Sequence, residues 1–171
     1  MRARIVIWLS PLLLIFAGCA TSPEPVQLDK ANVLPLELNP AYKVSKVKQF
    51  YNQPATFLPT SSETVNFERR RLDWGAIDGI DRQARYGNYN DFYWKAPERS
   101  DVTVRFEYRQ LGLGNLVRAK ELYYPNARGT HKSTFNVIGD EYLEFGRVSG
   151  WRILLIVNGR VVAFRQSFMW K

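Results

Sequence analysis

One cysteine and one histidine in 171 residues leave little for metal or thiol chemistry. A structural zinc site needs four Cys or His ligands, and a disulfide framework needs pairs of cysteines. Both are excluded, and a Cys/His catalytic pair is disfavoured. No Gly-rich phosphate loop, nucleophile elbow or helical histidine pair is present, so no motif asks for a cofactor or a metal. Long hydrophobic runs are also missing. The longest, Ile5 to Phe16, is twelve mostly apolar residues, about 18 Å as a helix against a bilayer core of about 30 Å. Collagen, coiled coil and polytopic membrane protein are excluded with it. There is no internal repeat.

What is abundant is aromatic and basic. Phe, Tyr and Trp make up 14% of the chain and apolar residues 46%, enough to bury one domain's core. The formal net charge is +8.

The first residues read as an export signal: Arg2 and Arg4, then the apolar run, then small residues before the cysteine. Phe16-Ala17-Gly18-Cys19 resembles the lipobox of bacterial lipoproteins, with Phe16 where an aliphatic residue is usual. The resemblance covers about twenty residues. It implies cleavage after residue 18, acylation of Cys19 as the lipid attachment site, and anchoring without a spanning helix. Ala20 is not the Asp that the resemblance associates with inner-membrane retention, so it implies an outer-membrane protein facing the periplasm. Residues 19–41 hold Pro23, Pro25, Pro35 and Pro40 and read as a tether from the lipid, with Val33 to Leu36 able to pack on the domain. Residues 42–171 form the folded domain.

Strand signals dominate that domain. Val102, Val104, Phe106 and Tyr108 alternate with polar residues, the period of a half-buried antiparallel strand. Asn158-Gly159 predicts a two-residue type I′ hairpin between Trp151–Val157 and Arg160–Trp170. An unbroken register pairs Leu155 with Val162 and Ile153 with Phe164, places Arg152 opposite Arg165, and sets Trp151, Phe168 and Trp170 on the Phe164 face. Leu154, Ile156, Val161 and Ala163 make the other face apolar too, which requires a cover. Further strands are expected at 116–124, 132–138, 141–145, 64–72 and 90–96, with turns at Pro125–Gly129 and Gly139-Asp140. Residues 42–51 fit a strand or a short helix, and 77–84 one helical turn. The sum is an all-β antiparallel sandwich of immunoglobulin-like or transthyretin-like type, with a small partly open barrel as the alternative.

Candidate chemistry is thin. His131 falls in an expected turn and reads as a solvated loop residue. Asp73, Asp78 and Asp81 lack calcium-loop spacing and read as turn formers. Glu141 with Glu144, or Glu68 with Asp73, is a carboxylate pair any acidic-rich chain offers.

Two features stand higher. Arg69, Arg70 and Arg71 are consecutive, Arg105 and Arg109 share a strand face, and Arg118 and Lys120 share another. Together they would form a basic face for an anionic glycan or lipid, or else a solvated strand face guarding against aggregation. Nucleic acid matches the charge but not an exported lipoprotein. The stretch Tyr86 to Trp94 interleaves rings, Tyr89 and Tyr93 among them, with Asn and Asp. Such a pattern fits a sugar-binding groove, or alternatively core aromatics at Phe92 and Trp94 beside a loop. The expected function is a non-catalytic interaction module with an envelope protein partner. A module for cell-wall glycan or lipopolysaccharide is the alternative, and a hydrolase a third.

Overall fold

The alternation at Val102 to Tyr108 lies inside the longest strand of the protein. The computed structural model describes residues 23–53 and 60–170. The export signal, the lipobox and Cys19 lie outside the described residues. In chain order the elements are β1 (Val26–Leu28), β2 (Lys43–Asn52), helices α1 (Glu63–Leu72) and α2 (Gly79–Gln83), β3 (Gly87–Gln110), β4 (Arg118–Ile138), α3 (Asp140–Phe145), β5 (Val148–Val157) and β6 (Arg160–Gln166). Every strand pairing among them is antiparallel.

β3 and β4 form one hairpin, in register from Gly87↔Ile138 to Tyr108↔Arg118. It bends in the middle. Pro97 on β3 cannot donate to the ladder, and the register shifts between Ala96 and Val102. Opposite it, Pro125 to Gly129 holds two residues at positive φ, Asn126 and Gly129. These turn-forming residues therefore kink a continuing strand instead of reversing the chain, which corrects the expected turn there. The bend folds the hairpin onto itself. Phe92 and Phe106 are fourteen residues apart, about 46 Å along a straight strand, yet their ring centroids are 5.4 Å apart.

Two layers result. β2 pairs with the first half of β3, and β5 with the second half. β1 joins β4, and β6 joins β5. The path β1-β4-β3-β5-β6 does not close into a barrel. The fold is an all-β antiparallel sandwich, with both layers cut from the same two strands. Its core holds Phe92, Trp94, Val102, Val104, Phe106, Tyr108, Phe135, Val137, Ile153 and Leu155. Of the expected strand or helix at 42–51, the structure has the strand, as β2 over Lys43–Asn52.

Two expected strands are helices. At 64–72 the chain forms α1, with Ser62 at its N-cap, Glu63 in the first turn and Arg69, Arg70 and Arg71 in the last. That charge order suits the helix dipole, and the apparent alternation of Val65 and Phe67 does not decide. At 141–145 the chain forms α3, opened after Gly139 and closed at Gly146, both at positive φ. The short helix α2 lies within 77–84 as expected. Among the described residues no helix is long and apolar enough to cross a membrane.

The final hairpin turns at Asn158 (φ 50°) and Gly159 (φ 72°), as the dipeptide predicts. Its register does not stay regular. A bulge between Leu155 and Ile156 puts Leu155 opposite Ala163, Leu154 opposite Phe164 and Arg152 opposite Gln166. Phe164 thus leaves the core face, and it is 42% exposed. Phe168 is exposed as well, while Trp151 and Trp170 are buried. The second apolar face of Leu154, Ile156 and Val161 is covered by Leu34. Residues 35–39 run along β6, with Val161 N donating to Pro35 O at 2.9 Å and Glu37 N to Val161 O at 2.9 Å. Much of the expected tether is therefore laid onto the sheet, where it caps the β6 edge.

Candidate functional site

The outer face of the β3–β5 layer is the first place to look, because it carries Arg105 and Arg109. They share the face, but it is covered. Arg105 is 7% exposed; its Nε donates to Glu121 Oε1 at 2.6 Å and its Nη1 to Asn32 O at 2.7 Å. Glu107, equally buried, accepts two hydrogen bonds from Arg152. Trp170 folds back so that Arg109 and Arg152 lie over its ring, at 4.8 and 5.2 Å. Residues 29–36 roof a cleft of about 540 Å³ whose walls include Leu34, Leu154 and Phe164. Its charges are mutually neutralised, so Arg105 joins no basic surface.

Arg118 and Lys120 are likewise engaged. Glu141 on α3 takes Lys120 Nζ at 2.6 Å and lies 3.7 Å from Arg118, and it accepts a hydrogen bond from the Tyr108 hydroxyl. Burial, reinforced by that bond, pushes the Tyr108 phenol well above its ordinary pKa. This cluster fastens α3 to the sheet, so Glu141 is a structural acid and forms no bond with Glu144. Glu68 pairs with Arg71 at 2.8 Å.

The Asp residues act in turns. Asp78 caps α2 by accepting Asp81 N at 2.8 Å, Asp81 accepts Ile77 N at 2.9 Å, and Asp73 accepts from Asn52 at 3.2 Å. Among the described residues no group of three or more acids, His or Cys is placed to hold a metal. His131 is not in a turn: it stands on β4 opposite Trp94 and stacks on it, centroids 4.7 Å apart.

The aromatic stretch divides by parity. Phe92 and Trp94 point into the core, and Trp94 Nε1 donates to Ser133 Oγ at 2.9 Å. Tyr89 and Tyr93 point outward from the β2–β3–β4 layer. The Tyr89 hydroxyl donates to Arg85 O at 2.8 Å, and burial raises its pKa. Lys46 and Lys48 hold their ammonium groups over the Tyr93 ring, at 5.8 and 5.9 Å. No open row of rings forms for a sugar to stack on.

The surface that does gather apolar and cationic groups is the arm formed by α1 and α2. α1 buries no residue. Phe67 is 59% exposed, Trp74 85%, Ile77 89% and Ile80 76%. Phe67, Trp74, Arg70 and Arg71 line an open groove of about 440 Å³. The arm is fixed at its base. Arg85 Nη1 donates to Leu72 O at 3.0 Å and to Trp74 O, and the buried Asn52 bridges Asp73 and Arg85. Sequence reasoning singled out Arg69, Arg70 and Arg71 here but missed Phe67 and Trp74. Their signal was the run of large apolar residues around the Arg cluster. No family model matches the chain, and no curated protein or solved structure matches it either.

Proposed function

We propose that the chain is a lipoprotein anchored through Cys19 in the bacterial outer membrane and facing the periplasm. Its sandwich is a non-catalytic module that engages a protein of an envelope assembly through the α1–α2 arm. The lipobox-like residues support the anchor. The observation that carries the module is the arm itself: Phe67 on α1, Trp74 and Ile77 in the loop after it and Ile80 on α2 are all exposed, and Phe67 and Trp74 line one groove with Arg70 and Arg71. A contiguous apolar patch rimmed by charge marks a docking surface, since its exposure costs solubility and brings no packing. Aromatic residues and Arg are also the side chains that anchor protein interfaces. A glycan-stacking reading has weaker support, because Phe92 and Trp94 are spent on the core.

The test is a photo-reactive residue at position 74 of the full chain in cells, with one at the exposed Glu98 as control. The arm reading expects a discrete protein adduct from position 74 that weakens when Arg70 and Arg71 become Ser. Equal labelling from both positions overturns it. The anchor is tested separately: Cys19→Ser should release the protein from membranes after high-salt washing.

A further inference from the structure

Register collects a second cationic surface that no stretch of sequence displays. On the outer face of the β2–β3–β4 layer, three successive rows read across the strands. Lys43, Lys95 and Thr130 form the first row, Lys46, Tyr93 and Lys132 the second, and Lys48, Asp91 and Thr134 the third. Five lysines face one acid. Asp91 is spent on Lys132, 2.9 Å away, and on the Thr134 hydroxyl at 2.7 Å. Lys43, Lys46, Lys48 and Lys95 form no ion pair among the described residues, and all four are exposed. Lys43 stands directly opposite Lys95, a like-charge pairing that opposes folding. Lys46 and Lys48 converge on one ring, so Tyr93 holds two like charges side by side.

We infer that this lysine face docks on a bilayer surface of anionic phosphate headgroups. Charge complementarity requires an anionic occupant, and several features favour a bilayer. The lysines are spread over three rows and three strands, about 10 Å across, which suits an extended plane of charge better than one bound anion. Lysine, a mobile point charge, suits headgroups that move laterally. Chain length adds a further argument, which rests on the proposed acylation of Cys19. Only seven Cα steps separate Cys19 from Val26, where β1 begins on the sheet, so the lipid is at most about 25 Å from the folded domain. A domain held that close meets headgroups continually, and each lysine near an anionic surface strengthens binding about fivefold.

The experiment uses the chain from residue 19 onward with Cys19→Ser, so that neither an acyl group nor the apolar run Ile5–Phe16 contributes and failure of the anchor reading leaves the result interpretable. Co-sedimentation is measured with vesicles of phosphatidylglycerol and phosphatidylcholine, and with phosphatidylcholine alone. Binding to the anionic vesicles should exceed binding to the neutral ones and fall at 0.5 M salt. Replacing Lys46, Lys48 and Lys95 by Gln should weaken it on the order of a hundredfold with the melting temperature unchanged, and replacing the same three by Arg should restore it. The inference is overturned if both vesicle types bind equally or the Gln variant binds like the parent. It is also overturned if binding follows Phe67→Ala and Trp74→Ala instead, or if the lysine face retains only a soluble acidic polysaccharide such as heparin.

Discussion

Glu107 accepts two hydrogen bonds from Arg152 through one oxygen, Oε2, at 3.0 Å from Nε and 2.6 Å from Nη2. The two residues are register partners on β3 and β5, and Arg105 Nη1 lies 3.9 Å from the other carboxylate oxygen. On its other side the bulge in the final hairpin sets Gln166, in place of Arg165, opposite Arg152, so no cation on β6 competes with Glu107 for the guanidinium. Glu107→Ala strips the carboxylate from between two cations in a covered cleft. It should cost about 3 to 5 kcal/mol, read from the urea midpoint. The Glu107→Ala, Arg152→Ala double variant should lose less than the two single losses added together. Simple additivity would show that the pair is not coupled.

The same bulge separates two hydrophobic residues that an unbroken register would place side by side. Ile153 is in the core and should lose about 2 to 5 kcal/mol on truncation to Ala. Phe164 faces the roofed cleft, partly in water, and Phe164→Ala should cost less than about 1 kcal/mol. Comparable losses at the two sites would contradict the bulged register.

Two glycines test different constraints. An added Cβ at Gly159 meets nothing within 4 Å, so Gly159→Val should cost only the positive-φ strain, about 1 to 2 kcal/mol. At Gly87 the φ is 134° and a Cβ falls 2.2 Å from Val137 O and 2.9 Å from Ile138 Cα. Gly87→Ala should therefore push β3 from β4 where the hairpin starts and cost about 3 kcal/mol or more. Thermal melts of both variants rank the effects, and the reverse order would refute the geometry.

Alkaline pH should weaken the fold through buried tyrosines. Burial, then the 2.6 Å bond to the Tyr51 hydroxyl, raises the Tyr142 pKa from its ordinary 10.0 to about 12, and Tyr108 is raised as well. The folded state holds the proton more tightly than the unfolded chain. Its stabilising contribution is therefore complete below pH 10 and lost as pH climbs from 10 through 12. Melting temperature should be flat to about pH 9.5 and then fall, less steeply in Tyr142→Phe. Identical slopes for the two proteins would exclude Tyr142 as a contributor.

What could be read along the chain was whatever depends on neighbours in sequence. The alternation at Val102 to Tyr108 and the Asn158-Gly159 turn follow from backbone preference and side-chain period. So does the charge order of α1, although its resemblance to strand alternation hides the helix. Residues distant in sequence needed the fold. Lys48 and Asp91, or Tyr93 and Lys132, face each other only because β2, β3 and β4 pair in one particular register, and register is chosen by which residues bury together. Pro97 and Pro125 signal interruption in any context. Only packing turned that interruption into a bend that brings Phe92 against Phe106 and Trp151. Likewise Leu34, in a proline-rich stretch without period, became a cover because Leu154, Ile156 and Val161 formed an apolar face that water would otherwise meet.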